Sequence, residues 1–246
     1  MAKSLRLDQA LVQRRLFATR QQAQAAIMAG EVNVNGHRAA KASERITPEM
    51  HIAVAARARY VGRGGLKLES ALSHFGISCE NKIALDIGAS TGGFTDCLLQ
   101  HGAARVFAVD VGHGQLAWKI REDPRVSVVE KTNARHLSRA EIPEPIELCV
   151  IDVSFISLTL ILPNAFDLLT PDGVILALIK PQFELAREDV GRGGIVRDSV
   201  LHQRAQEKVA VFAERIGARV EGVVPSVITG ADGNQEFFIC LRKRSA

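Results

Sequence analysis

The chain has 246 residues, 47% of them apolar, 24% charged and 5% aromatic, with a formal net charge of +4. This composition excludes disorder and fibre, and the length suits one large domain or a core domain with a small companion. The longest apolar runs, such as Gly173 to Ile179, have the length of a buried strand, well short of the ~20 residues of a membrane span. The first ten residues lack the apolar core of a secretory signal, so the expectation is a soluble, cytoplasmic protein with no membrane association.

Charge is concentrated at the start. Residues 1–60 carry ten Lys or Arg against four acidic residues, and the remaining 186 carry 21 against 23, which suggests a polyanion-holding module attached to a near-neutral body. Within this stretch Leu7, Leu11, Val12 and Leu16 recur at helical spacing behind Asp8, read as an N-cap. Thr19 with Gln22 forms a capping box, Ala23, Ala26 and Ile27 form an apolar stripe, and Gly30 stops the second helix. Val32 and Val34 then alternate with polar neighbours before the hairpin turn Asn35-Gly36, a return strand and a last one at His51 to Val54. Arg6, Arg14, Arg15, Arg20, Arg38 and Lys41 could meet RNA phosphates. With only Phe17 among the basic positions, shape recognition of folded RNA is favoured over single-strand stacking. The string Arg-Leu-Asp-x-x-Leu, Thr-Arg-x-x-Ala, Ile-x-x-Gly-x-Val-x-Val-Asn-Gly resembles the small RNA-binding family named after ribosomal protein S-four.

The resemblance implies an S-four-like RNA-binding domain over residues 1–56, and the composition that follows predicts a Gly/Arg-rich linker over 57–66 and a larger domain over 67–246. In the larger domain, apolar runs at Ile83 to Ile87, Val106 to Val111, Val126 to Val129, Leu148 to Val153, Val174 to Ile179, Val220 to Val227 and Phe237 to Leu241 alternate with helical patterns. That is the rhythm of an open α/β sheet with helices on both faces and ligands at the carboxyl ends of its strands. The first strand runs into a turn with glycines at 88, 92 and 93, which permit close backbone approach to a ligand. The second ends in Asp110, placed to accept from ribose hydroxyls. NAD, a nucleotide or S-adenosylmethionine would each suit this spacing.

Four charged residues adjoin these apolar elements: Lys67, opening the helix before the sheet, Asp152 and Lys180 after strands, and Glu236 before the last one. Charges at such places are costly unless paired, and two lysines with two carboxylates balance. The four cysteines are far apart with no C-x-x-C, so buried thiols and no metal site are expected. Trp118 reads as packed on the sheet, in preference to stacking on an adenine. Asn133 suits either an adenine edge or a turn cap. No function is assigned to the histidines.

The string Asp86-x-Gly88-Ala-Ser90-Thr-Gly92-Gly93-Phe94 is similar to motif I of S-adenosylmethionine-dependent methyltransferases, especially the FtsJ-like branch. The order Lys67, Asp152, Lys180, Glu236 looks like the tetrad of ribose 2′-O-methyltransferases. Over nearly the whole chain, Gly-Arg-Gly-Gly-x-Lys, Thr-Asn-Ala-Arg, Asp-x-Ser-Phe-Ile-Ser-Leu and Lys-Pro-Gln-Phe-Glu look like the TlyA family, described as bacterial rRNA cytidine 2′-O-methyltransferases and often named haemolysins. The resemblance implies a Rossmann-like methyltransferase sheet (α/β) with a small N-terminal α+β S-four-type domain, and S-adenosylmethionine as cofactor. It implies a donor site at Asp86, Gly88, Ser90, Gly92, Gly93, Phe94, Asp110 and Asn133. The expected partner is ribosomal RNA or a ribosomal subunit, the large one on the likeness to the family's shorter subtype, and the expected state is a monomer. Lys180 is the candidate base, since a lysine can accept the ribose proton once its pKa is brought toward working pH. The competing readings are a non-catalytic RNA-binding or ribosome-assembly factor and a membrane-active haemolysin.

Overall fold

The computed structural model describes residues 4–54, 59–230 and 232–243, and the chain divides into two compact units, Met1–Ala58 and Arg59–Ala246. The expected linker positions 57 and 58 and the chain end at 244–246 lie outside the described residues.

In the first unit, β1 (Leu5–Arg6), α1 (Leu7–Gln13), α2 (Arg20–Ala29), β2 (Val32–Val34), β3 (His37–Arg38), β4 (Arg45–Ile46) and β5 (Ile52–Val54) follow in order. Thr19 caps α2 by accepting from the Gln22 amide at 3.2 Å, and Gly30 ends it in the left-handed conformation. Asn35 and Gly36 both have positive φ in the β2–β3 turn, as the right-handed twist of a two-residue hairpin requires. The apolar stripes of both helices close over β2, with Leu7, Leu11, Ala23 and Val32 fully buried.

Asp8 does not cap α1. It lies inside the helix, wholly buried, where its carboxylate receives the Arg6 guanidinium at 3.0 and 3.1 Å, Arg20 at 2.9 Å and the Gln24 amide at 2.8 Å. Those donors hold its pKa well below the usual carboxylate range, the Arg6 hydrogen bond most of all and against the opposing effect of burial.

In the second unit come α3 (Gly64–Phe75), β6 (Ile83–Ile87), α4 (Gly93–Gln100), β7 (Arg105–Val109), α5 (Trp118–Arg121), β8 (Val126–Val129), β9 (Ile146–Ile151), α6 (Leu162–Asp167), β10 (Leu169–Ile179), α7 (Pro181–Glu184), α8 (Ser199–Arg215), β11 (Ala218–Pro225) and β12 (Phe237–Lys243). The seven strands form one sheet in the order β11-β12-β10-β9-β6-β7-β8, parallel except that β12 runs antiparallel to both neighbours. Side chains of α3, α4 and α5 pack one face, and those of α6 and α8 pack the other. Chain order reverses between β6 and β9, which opens a crevice at their carboxyl ends.

Residues 59–66 are not a linker. Tyr60 is 4% exposed in the core of this unit, the Val61 amide donates to Asp96 at 2.9 Å, and α3 already begins at Gly64, which leaves Lys67 inside the helix. A Cβ on Gly93 would lie 3.2 Å from the Gly65 nitrogen, so glycine lets this segment pack directly on the turn after β6. Trp118, expected against the sheet, is 72% exposed at the start of α5. All four cysteines are free and buried, and burial pushes Cys97 up to about 12. No helix among the described residues is long and apolar enough to cross a membrane.

Candidate active site

Two cavities occupy the crevice. The first, about 440 Å³, is lined by Arg63, Lys67, Thr91, Gly93, Phe94, Lys180, Gln182, Phe183, Asp232 and Glu236 among others. The second, about 480 Å³, is lined by Asp110, Val111, Gln115, Thr132, Asn133, Ile156 and Ile161 among others. Gly88, Ser90, Asp152, Ser154 and Phe155 line both, so the two spaces adjoin across the β6 and β9 ends.

The four charged residues expected to cluster all border the first cavity, in two ion pairs. Lys67 Nζ donates to Glu236 Oε2 at 2.5 Å, with the residues 8% and 3% exposed. Lys180 Nζ lies 2.7 Å from Asp152 Oδ1, outside hydrogen-bonding geometry, and donates to Ser154 Oγ at 2.9 Å. Each pair joins elements far apart in sequence, α3 to the start of β12 and the end of β10 to the end of β9. Buried ammonium groups persist only with such partners.

The donor-loop residues divide. Gly88, Ser90, Gly93 and Phe94 line cavity walls, and Asp110 and Asn133 line the second cavity. Asp110 accepts from the amides of Ser90 and Gly112, both at 2.7 Å, which fixes the carboxylate against the loop. Asn133 Oδ1 accepts from the Arg135 amide and so caps the following turn while its residue borders the cavity. Asp86 and Gly92 border neither. Asp86 is fully buried under the loop, where Oδ2 accepts from Thr95 Oγ1 at 2.6 Å and Oδ1 has no hydrogen-bond partner among the described residues. Burial, outweighing the Thr95 hydrogen bond, pushes its carboxyl up to about 7. Gly92 turns at φ +94, and a Cβ there would stand 2.9 Å from Leu116.

Sequence reasoning gave no role to Ser154, Phe155, Gln182 or Phe183. Phe155 is 90% exposed at φ +64, and its ring lies 5.1 Å from that of Phe183. A bulky residue in the left-handed region is an outlier of the kind that marks functional sites. The signals were position, directly after Asp152 and Lys180, and membership of the motifs Asp-x-Ser-Phe-Ile-Ser-Leu and Lys-Pro-Gln-Phe-Glu.

The six basic residues of the first unit also divide. Arg6 and Arg20 are tied to Asp8, and Arg14 donates to the carbonyls of Thr47, Pro48 and Met50 at 2.9–3.2 Å. Arg15 and Lys41 are exposed, and Arg38, also exposed, lies over Gly30, where a Cβ would meet its guanidinium at 2.0 Å.

The crevice suits a nucleoside with a charged tail: a carboxylate after the second strand for ribose, apolar Val111, Ile156 and Ile161 beside it, and a glycine-rich turn leading to the charged cavity. Comparison with known proteins agrees. Residues 60–243 match the FtsJ-like methyltransferases and residues 5–52 the S4 domain. The chain is 43% identical to the 16S/23S rRNA (cytidine-2'-O)-methyltransferase TlyA of Mycobacterium tuberculosis, over 100% of this chain and 92% of that protein. It is 44% identical to Hemolysin A of Brachyspira hyodysenteriae, over 95% and 98%. A solved structure from Streptococcus thermophilus superposes with a TM-score of 0.76 at 45% identity, covering 100% of this chain and 90% of that one. With both the crevice and these relatives in hand, the chain belongs to the FtsJ-like methyltransferases, in the TlyA family with its N-terminal S4 domain.

Proposed function

We propose that the protein transfers a methyl group from S-adenosylmethionine to the ribose 2′-hydroxyl of a cytidine in ribosomal RNA. The observation that carries this reading is the meeting of both lysine–carboxylate pairs in one cavity that adjoins the glycine-loop groove.

S-adenosylmethionine, when bound, supplies a methyl group already activated by its sulfonium. The residues therefore have to orient the hydroxyl and take its proton. Lys180 is the base: once its Nζ has shed its own proton, it accepts the 2′-proton as the ribose oxygen takes the methyl. Asp152 and Ser154 hold its Nζ. Lys67, kept in place by Glu236, is a cation in the same cavity and favours the oxygen's developing negative charge. Gly88, Ser90, Gly93, Phe94, Asp110 and Asn133 would hold the donor, with Asp86 and Gly92 supporting the loop from beneath. The exposed Phe155 ring offers a face on which an unstacked target base can rest.

Arg15, Arg38 and Lys41 are the basic-unit side chains freest to meet phosphates, and Arg6 and Arg20 would do so from a fixed orientation. Large-subunit RNA is the expected substrate: the M. tuberculosis relative is named for 16S and 23S rRNA, and a Campylobacter jejuni relative, 34% identical over 73% of this chain, for 23S rRNA. On this reading the protein works with ribosomes in the cytoplasm, as a monomer. Alkaline hydrolysis of the modified RNA tests the chemistry, because a methylated 2′-oxygen cannot attack the adjacent phosphate. A cleavage-resistant step at one cytidine is expected; full cleavage with label retained would mean methylation of a base.

A further inference from the structure

Glu184 is a buried carboxylate that the reaction above does not use. It ends α7, is 4% exposed, and accepts from Ser157 Oγ at 2.6 Å and from the Leu158 amide at 2.7 Å. Lys208 of α8 completes its shell at 3.2 Å. Both hydrogen-bond donors belong to the segment that follows β9, the one carrying Asp152, Ser154 and Phe155.

The other end of that segment is held by Lys180, through Asp152 and Ser154. Lys180 and Glu184 bracket α7, a single helical turn whose rise over four residues is about 6 Å. The segment between Ser154 and Leu158 is thus gripped at two points set by one rigid turn. Phe155 lies between the grips, with its backbone in the left-handed region and its ring exposed against Phe183, which itself belongs to α7. A free segment would relax Phe155 out of that conformation.

We infer that Glu184 is a positioning residue for methyl transfer: together with Lys180 it spans the 152–158 segment and keeps Ser154 and Phe155 at the cavity wall. It borders neither cavity and touches no reacting group. The inference rests on the methyltransferase reading and adds a specific dependence to it.

The test uses the full chain and ribosomal subunits that lack the modification. Glu184→Ala is expected to lower the single-turnover rate at saturating donor and RNA by about tenfold or more, while S-adenosylhomocysteine affinity stays within about twofold. In a Phe155→Gly background, where the left-handed conformation carries no penalty, adding Glu184→Ala is expected to cost less than about twofold, because residues that act as a unit are non-additive. A folded Glu184→Ala variant with native turnover, or losses that multiply in the double variant, would overturn the inference. If Glu184→Ala does not fold, Ser157→Ala and Glu184→Gln each weaken one side of the grip and must show the same split, a rate loss without a change in donor affinity. A native chain that transfers no methyl group would instead defeat the functional reading itself.

Discussion

Gly88, directly after β6, lies so close beneath the chain leaving β9 that a Cβ there would stand 2.2 Å from the carbonyl oxygen of Asp152. Gly88 also turns at φ +88, so a side chain would be strained even without the contact. This crossing joins the donor loop to the segment that carries Asp152 of the charged cluster. Gly88→Ala is therefore expected to weaken donor binding and methyl transfer together, each by about tenfold or more. Isothermal titration with S-adenosylhomocysteine, run beside a methylation assay, checks this; unchanged affinity would show that the crossing has slack.

The Lys67–Glu236 pair separates stability from catalysis. Removing one partner strands a buried charge, so Glu236→Leu is expected to destabilise the fold by about 3–5 kcal/mol. Lys67→Met combined with Glu236→Leu should recover most of that loss and remain inactive. Urea unfolding and methyl transfer on the same preparations give the answer; an active double variant would remove the pair from the reaction.

Asp86 makes stability depend on pH. Its carboxyl is raised from the model-peptide value of 3.8 to about 7 by burial. Below pH 4 it is protonated whether the chain is folded or not, and its contribution is fully present. As pH rises toward and past 7, the unfolded carboxyl ionises freely while the buried one resists, so stability is lost. Asp86→Asn does not titrate, so the native chain should lose stability relative to this variant between about pH 4 and pH 8. Urea midpoints that shift in parallel across that range would contradict the assignment.

In the first unit, pinned and free cations should behave differently. Arg20→Ala removes a donor from a wholly buried carboxylate and is expected to cost about 1–3 kcal/mol of stability. Arg15→Ala should change stability by less than about 0.5 kcal/mol. The triple variant Arg15→Ala, Arg38→Ala, Lys41→Ala should reduce the slope of log affinity against log salt by about 2–3 if each cation meets a phosphate. An unchanged slope would place the RNA contacts elsewhere.

All seven strands of the large sheet were legible: the central ones, buried on both faces, read as nearly continuous apolar runs, and the half-exposed edge strands β8 and β11 keep short apolar runs in the same rhythm. The charged cluster was legible because its members adjoin those runs. Asp8 was misread because a carboxylate beside a helix start looks like a cap, and its burial depends on Arg6 and Arg20 arriving from two and twelve residues' distance in a folded arrangement. Residues 59–66 were misread because glycines chosen for close backbone approach have the composition of a linker. Glu184 was invisible as a buried group, since nothing local signals that Ser157 and Lys208 will surround it.

The most direct test of the account is methyl transfer from isotopically labelled S-adenosylmethionine to separated small and large ribosomal subunits, with the native chain and Lys180→Ala side by side. The account predicts label on a single cytidine 2′-oxygen of large-subunit RNA, lost by about a hundredfold or more in the variant while RNA affinity stays within about twofold. Equal labelling by Lys180→Ala would contradict the assigned base, and no labelling of either subunit by the native chain would contradict the proposed reaction.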